Sequence, residues 1–319
     1  MWANRGRSRT SPFGRGWALG AAVAVACGVL VTAGAARSFV TEGPGMRPWS
    51  PIEDVLRTPR WSDAGGSLLE TGDRGLGGGL EYTLDDSLCT GLRFVDAAPC
   101  EDVKAAVRAA LDRWSSGHPS LRFLEVSDRQ PVVPQGDASP HLGQGAEIDF
   151  FAESPERFPP FRQAAIAAMT NYYFDTERQP LLTNGQMGVA ALGTLVAADV
   201  RFSTGACYYL DPSQARYGCA HFPSLVQHEI AHTLGIDHPD EDPGRNLDND
   251  DDPRNPVLID CQNPTAGLRV NPVVVGEAAA IGLLFGSGTW RRGPTNDDIA
   301  ARDALYPHCG IVAMDRSAP

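Results

Sequence analysis

The segment 228-HEIAHTLGIDH-238 carries three histidines, a glutamate and a glycine at offsets that can hold a metal ion. His228 and His232 are four residues apart, so on a helix their imidazoles leave one face, one turn apart, and both can reach a single ion. Glu229, beside the first histidine, projects at an angle to that pair and can address a water on the ion. Gly235 suits the left-handed position that stops a helix, and the turn that follows returns His238 as a third ligand. Three neutral imidazoles leave the fourth tetrahedral position to water, the pattern of a catalytic zinc and not of a closed structural one. Such an ion brings the pKa of its water toward neutrality and polarises a carbonyl. Glu229 is then placed to take the water's proton and hand it to a leaving amine. The plain reading, a solvated helix with incidental histidines, needs five positions to match by chance.

Several elements must position these groups. Residues 223-PSLVQHEIAHTL-234 read as a helix, with Pro223 at its first position and Val226, Ile230 and Leu234 recurring every fourth residue. A second helix spans 101–114, where Val103, Val107, Ala110, Leu111 and Trp114 share one face and acids open the first turn. Strands are expected at 80-LEYTL-84, 121-LRFLEV-126, 147-EIDFFA-152, 195-LVAADVRFS-203 and 207-CYYL-210. Residues 161-FRQAAIAAMTNYYF-174 read as a further helix, and 296-NDDIAARDALY-306 as the last one, with Thr295 as its N-cap. No internal repeat is present.

The N-terminus carries Arg5, Arg7, Arg9 and Arg15 ahead of an uncharged run, Trp17 to Ala36, that ends in 33-AGAAR-37. This is the pattern of a secretory signal over 1–36. The run is also long enough to remain as a membrane anchor, and lipidation at Cys27 is a third route. All three put the bulk of the chain outside the cytoplasm, secreted, periplasmic or on the cell surface. Residues 37–77, rich in glycine and ending near 74-RGLGGG-79, read as a pro-segment or linker, and 78–319 as the folded domain. Six further cysteines, Cys89, Cys100, Cys207, Cys219, Cys261 and Cys309, suit disulfides in an exported protein. Proximity pairs Cys89 with Cys100 and Cys207 with Cys219, leaving Cys261 with Cys309. The net charge of −12 argues against a nucleic-acid partner, which would call for a basic face. Contact with a membrane is expected only through the N-terminal run or a lipid on Cys27, and nothing calls for more than a monomer.

With its flanking elements in order, 228-HEIAHTLGIDH-238 resembles the long zinc motif of the metzincin metalloproteases, and the arrangement over 78–309 looks like their matrixin-type branch. The resemblance implies an α+β fold: a twisted, mostly parallel five-stranded sheet with two long helices, and a small C-terminal subdomain across a cleft. It implies one catalytic Zn2+ on His228, His232 and His238, Glu229 as general base, and endopeptidase action on protein or peptide substrates. Three features depart from it. The methionine expected in a turn beneath the zinc is missing, and Leu258 in 255-NPVLID-260 is the candidate in its place, a swap of similar volume. The loop after His238 is long and acidic, with Asp240, Glu241, Asp242, Asp248, Asp250, Asp251 and Asp252; it reads as a solvated insertion, a Ca2+ site or a rim favouring basic substrates. No histidine occurs between Leu142 and Ala220, so an upstream structural zinc is not expected. Residues 28–88 hold no cysteine, which leaves a carboxylate such as Asp54, Asp63 or Asp73 as the only candidate for a latency ligand. Asp297 and Asp298 are expected to serve the last helix structurally. His118, His141, His221 and His308 lack metal spacing. The alternatives to a peptidase are a non-catalytic zinc-holding or adhesion protein on the same fold and a zinc hydrolase of a non-peptide amide.

Overall fold

The computed structural model describes residues 40–41, 51–63, 75–126, 145–158, 160, 166–237, 247–248, 263–266, 268–270, 293–294 and 296–308. The N-terminal run with Cys27, together with Asp73, His141, His238, the turn bearing Leu258, most of the acidic loop, Cys261 and Cys309, lies outside them.

The centre is a five-stranded sheet. In chain order its strands are β2 (Leu80–Leu84), β4 (Phe123–Glu125), β5 (Ile148–Glu153), β6 (Ala168–Asp175) and β7 (Thr194–Ser203), arranged β4-β2-β5-β7-β6. All neighbours are parallel except β6, which pairs antiparallel with β7 at the edge. The mixed α+β architecture and the mostly parallel sheet are therefore as the sequence leads one to expect. The 161–174 helix is not: Ala168–Asp175 is strand β6. The alanines favour a helix, but Thr170, Tyr172, Tyr173 and Phe174 suit a pleated surface, and pairing along β7 overrides the local propensity.

Alternate residues of the strands serve two different faces. Leu80, Tyr82, Ile148, Phe150, Ala152, Ala198, Val200 and Phe202 enter the apolar core. Against them packs α4 (Cys100–Ser115) with Val103, Val107, Ala110, Leu111 and Trp114, and α5 (Phe222–Thr233) with Phe222, Leu225, Val226 and Ile230. The opposite parity is equally buried and mostly polar, with Glu81, Thr83, Asp149, Glu153, Asp199 and Arg201 beside Phe151. Asp199 accepts from Arg201 at 2.9 Å, and Asp149 from the Thr83 hydroxyl at 2.6 Å.

A second, three-stranded parallel sheet joins β3 (Arg93–Phe94), β8 (Cys207–Tyr209) and β9 (Cys219–His221) at the start of α5. The disulfide Cys207–Cys219 links residues that face each other across β8 and β9, and Cys89–Cys100 ties α3 (Ser87–Thr90) to the start of α4. Both pairings are those that proximity in the sequence favours.

The packed body begins well upstream of Leu80. β1 (Val40–Thr41) pairs antiparallel with β10 (Ile236–Asp237), directly after the turn that ends α5. Helix α1 (Pro51–Arg57) and the residues behind it place Val55 and Trp61 inside the common core. A last helix, α6 (Asn296–Leu305), closes the body. Its buried Arg302 donates to the carbonyls of Trp114 (2.8 Å) and Ser116 (2.9 Å), capping the end of α4.

Candidate metal centre

Helix α5 carries the motif. It has proline in its first turn, Leu234 as C-cap and Gly235 at φ +85°, as the sequence requires. An ideal Cβ on Gly235 would stand 3.0 Å from Thr58 Cγ2 and 3.2 Å from the Pro59 carbonyl, so both backbone and space call for glycine.

His228 and His232 are half-buried on one side of the helix, and their Nε2 atoms are 3.1 Å apart. The His232 Nδ1–H donates to the Ile236 carbonyl at 2.8 Å. That bond fixes the tautomer: the Nε2 of neutral His232 carries a lone pair aimed at its partner. Two imidazole nitrogens bound to one tetrahedral zinc at the usual bond length stand about 3.3 Å apart. The pair thus fits a zinc ion with little movement, and the Ile236 carbonyl supplies the outer hydrogen bond that metal-binding imidazoles usually make.

Glu229 is 3% exposed, although it is an acid in the middle of the motif. Its carboxylate accepts from the Thr170 hydroxyl, Oγ1 to Oε2 2.8 Å, and the same hydroxyl lies 3.1 Å from the Glu229 main-chain oxygen. Thr170 belongs to edge strand β6, which packs on α5. No described strand pairs with the outer edge of β6.

The turn behind the motif is held from outside. Trp61 Nε1 donates to the Thr233 carbonyl at 2.8 Å, and the Tyr306 hydroxyl to the Leu234 carbonyl at 2.9 Å. These bonds satisfy carbonyls that the end of a helix leaves without partners. Trp114 Nε1 donates to the Gln227 carbonyl at 2.9 Å and fixes α5 to α4.

A second group of potential ligands, His118, Asp303 and His308, lies together near α6. It does not suit a metal as it stands. His118 Nδ1 accepts from the Leu121 amide at 2.8 Å and the Ser120 amide at 3.2 Å, so its Nε2 carries the proton, which goes to the Tyr306 carbonyl at 2.8 Å. Neither nitrogen has a lone pair to offer. Burial lowers the His118 pKa to about 4, so the ring is neutral. Asp303 instead takes Arg302 Nε at 2.7 Å. His221 is likewise internal, held by Ser224 Oγ at 2.7 Å and the Leu210 carbonyl at 3.1 Å.

Of the residues expected from sequence, His228, His232 and Glu229 come together on α5; His238 follows one residue after Asp237 and is outside the described residues, as are Leu258 and the pair Cys261 and Cys309. Asp54 is buried in α1, and burial raises the pKa of Asp63 just beyond it. Sequence reasoning did not find Thr170, Trp61 or Tyr306. Each acts through a contact across the fold, and none lies in a motif. No protein-family model matches the chain, and no curated protein sequence matches it.

Proposed function

We propose that the chain is an exported, zinc-dependent endopeptidase of the metzincin type, matrixin-like in the order of its elements. The observation that carries this reading is the Nε2–Nε2 separation of 3.1 Å between His228 and His232, with the outer nitrogen of His232 already committed to the Ile236 carbonyl. His238 completes the ligand set by its place in the motif.

Zinc, when bound, supplies a Lewis acid that polarises the scissile carbonyl and acidifies the attacking water. The rest falls to the chain. Glu229 accepts the water's proton on its carboxylate and delivers it to the departing amine. Thr170 donates to the Oε2 of that carboxylate and so holds its orientation. The buried setting excludes competing water from the base. The outer edge of β6 beside α5, with which no described strand pairs, suits a substrate in extended conformation, which can add to the sheet through its main chain. That favours a peptide over a small non-peptide amide.

Export agrees with the two disulfides. No described helix is long and apolar enough to cross a membrane.

Metal analysis of the purified full chain tests the reading. About one zinc per chain is expected, with loss of zinc in His232→Ala and chelator-sensitive cleavage of an unbiased peptide mixture by the wild type. A wild-type chain with no affinity for zinc contradicts it.

A further inference from the structure

We propose that residues 40–41 and 58–63 are a permanent part of the metal-site architecture, and that Trp61 is a positioning residue for the turn that delivers the third histidine. The inference rests on the zinc reading above for its metal, and on separate contacts for its geometry. The segment precedes Leu80, in the stretch read from sequence as pro-segment or linker.

The turn 233–237 links the second histidine to the third. Four of its five residues are touched by this segment. Trp61 Nε1 holds the Thr233 carbonyl at 2.8 Å. Thr58 and Pro59 lie so close to Gly235 that a Cβ there would press on both. Val40 and Thr41 pair with Asp237 and Ile236, the two residues immediately before His238. Ile236 is also the residue whose carbonyl orients His232 at 2.8 Å. The same few atoms therefore set the second ligand's ring and the path of the chain into the third. A shift of the turn moves both.

The segment is itself locked into the body. The guanidinium of Arg60, buried, donates to the carbonyls of Val55, Thr58 (3.2 Å) and Leu305 (3.3 Å). The Leu195 amide donates to the Arg60 carbonyl at 3.0 Å, and the Leu192 amide to the Arg57 carbonyl at 2.8 Å, so the segment runs beside β7. The Asp63 amide donates to the Leu181 carbonyl at 2.6 Å. Trp61 is 2% exposed. Removing the segment would open the slot of a buried indole and strip a helix end of its partner. A releasable inhibitor has to leave without harm to the site; this segment cannot.

The test uses the full chain with Trp61→Phe, which keeps the aromatic packing and loses the N–H donor. Zinc affinity is measured by competition with a chromogenic chelator, and ligand geometry by the visible spectrum of the Co2+-substituted protein. The expected result is a loss of zinc affinity of up to about 10-fold, below the ~10–100-fold of a partner bonded directly to a ligand, with a changed cobalt spectrum. Val55→Ala, buried in α1 ahead of the residues that contact the turn, is the control. It should lower thermal stability and leave affinity and spectrum unchanged. Equal affinity in Trp61→Phe and wild type, or an equal loss in Val55→Ala, overturns the positioning role. A wild type that binds no zinc, like His232→Ala, sinks the zinc reading itself and the positioning role with it. Mass analysis of the N-terminus of the exported protein tests retention independently of metal and of folding in variants. It should begin at or before Val40, and an accumulated soluble form beginning beyond Asp63 overturns the proposal.

Discussion

The hydroxyl of Thr170 donates to the carboxylate of Glu229 across 2.8 Å, joining the edge strand of the sheet to the middle of the zinc-motif helix. A peptide that pairs with β6 would thus lie on the strand that also holds the Glu229 carboxylate, the general base of the proposed mechanism.

Thr170→Val tests that link. The change keeps shape and removes one hydrogen bond to a charged group, an interaction of about 1.5–3 kcal/mol. Turnover should fall roughly 10–100-fold, with zinc content near wild type and stability lowered by about 1.5–3 kcal/mol. Unchanged kcat would show that Thr170 is packing only.

The polar face of the sheet makes a prediction about pH. Burial, and then the neighbouring Asp199, push the Asp149 carboxyl up to about 7. Its folded form holds a proton that the unfolded chain has released, so its contribution to stability is present below about pH 4 and is lost as pH rises through about 7. His118 works in the opposite sense. Burial lowers it to about 4, so its contribution is present above the ordinary histidine value and is lost as pH falls toward 4. The two slopes oppose each other across the same range. Asp149→Asn removes one of them, and urea midpoints between pH 4 and 7 should then fall more steeply with acid than in the wild type. Parallel curves for the two proteins would refute this account of Asp149.

Gln227, next to His228, is buried with neither its amide oxygen nor its amide nitrogen hydrogen-bonded. An unsatisfied buried amide costs about 1–3 kcal/mol. Gln227→Met, similar in volume, should raise the unfolding free energy by about 1 kcal/mol or more and leave zinc affinity alone. A clear loss of stability would mean that the amide is satisfied in solution, by an internal water for example.

The Cys207–Cys219 bridge closes a short loop between paired strands at the head of α5. Replacing both cysteines with alanine should cost about 2–4 kcal/mol, read by denaturant unfolding. A negligible change would mean that β8 and β9 stay paired without it.

Much of this was legible in the sequence, for identifiable reasons. The spacing of His228, His232 and Gly235 and the apolar recurrence of Val226 and Ile230 belong to one helix, and local periodicity is where sequence speaks most directly. Strand β7 and helix α4 have equally regular patterns. Strand β6 was hidden because its identity comes from β7, a partner some twenty residues on, and the alanines before Thr170 point elsewhere. Thr170 went unnoticed as a partner of Glu229 for the same reason. Trp61 sits in a stretch whose glycine-rich neighbourhood reads as linker, yet its partner is Thr233, far along the chain. Contacts of that range leave no local signature.

The most direct test of the central claim compares the full chain with Glu229→Gln on an unbiased peptide mixture, with zinc measured in both. The account predicts about one zinc in each, cleavage by the wild type alone, and loss of that cleavage with a chelator, because Glu229 moves the proton and does not hold the metal. Zinc in both proteins with no cleavage by either would contradict it, and would leave a protein that holds zinc without using it for hydrolysis.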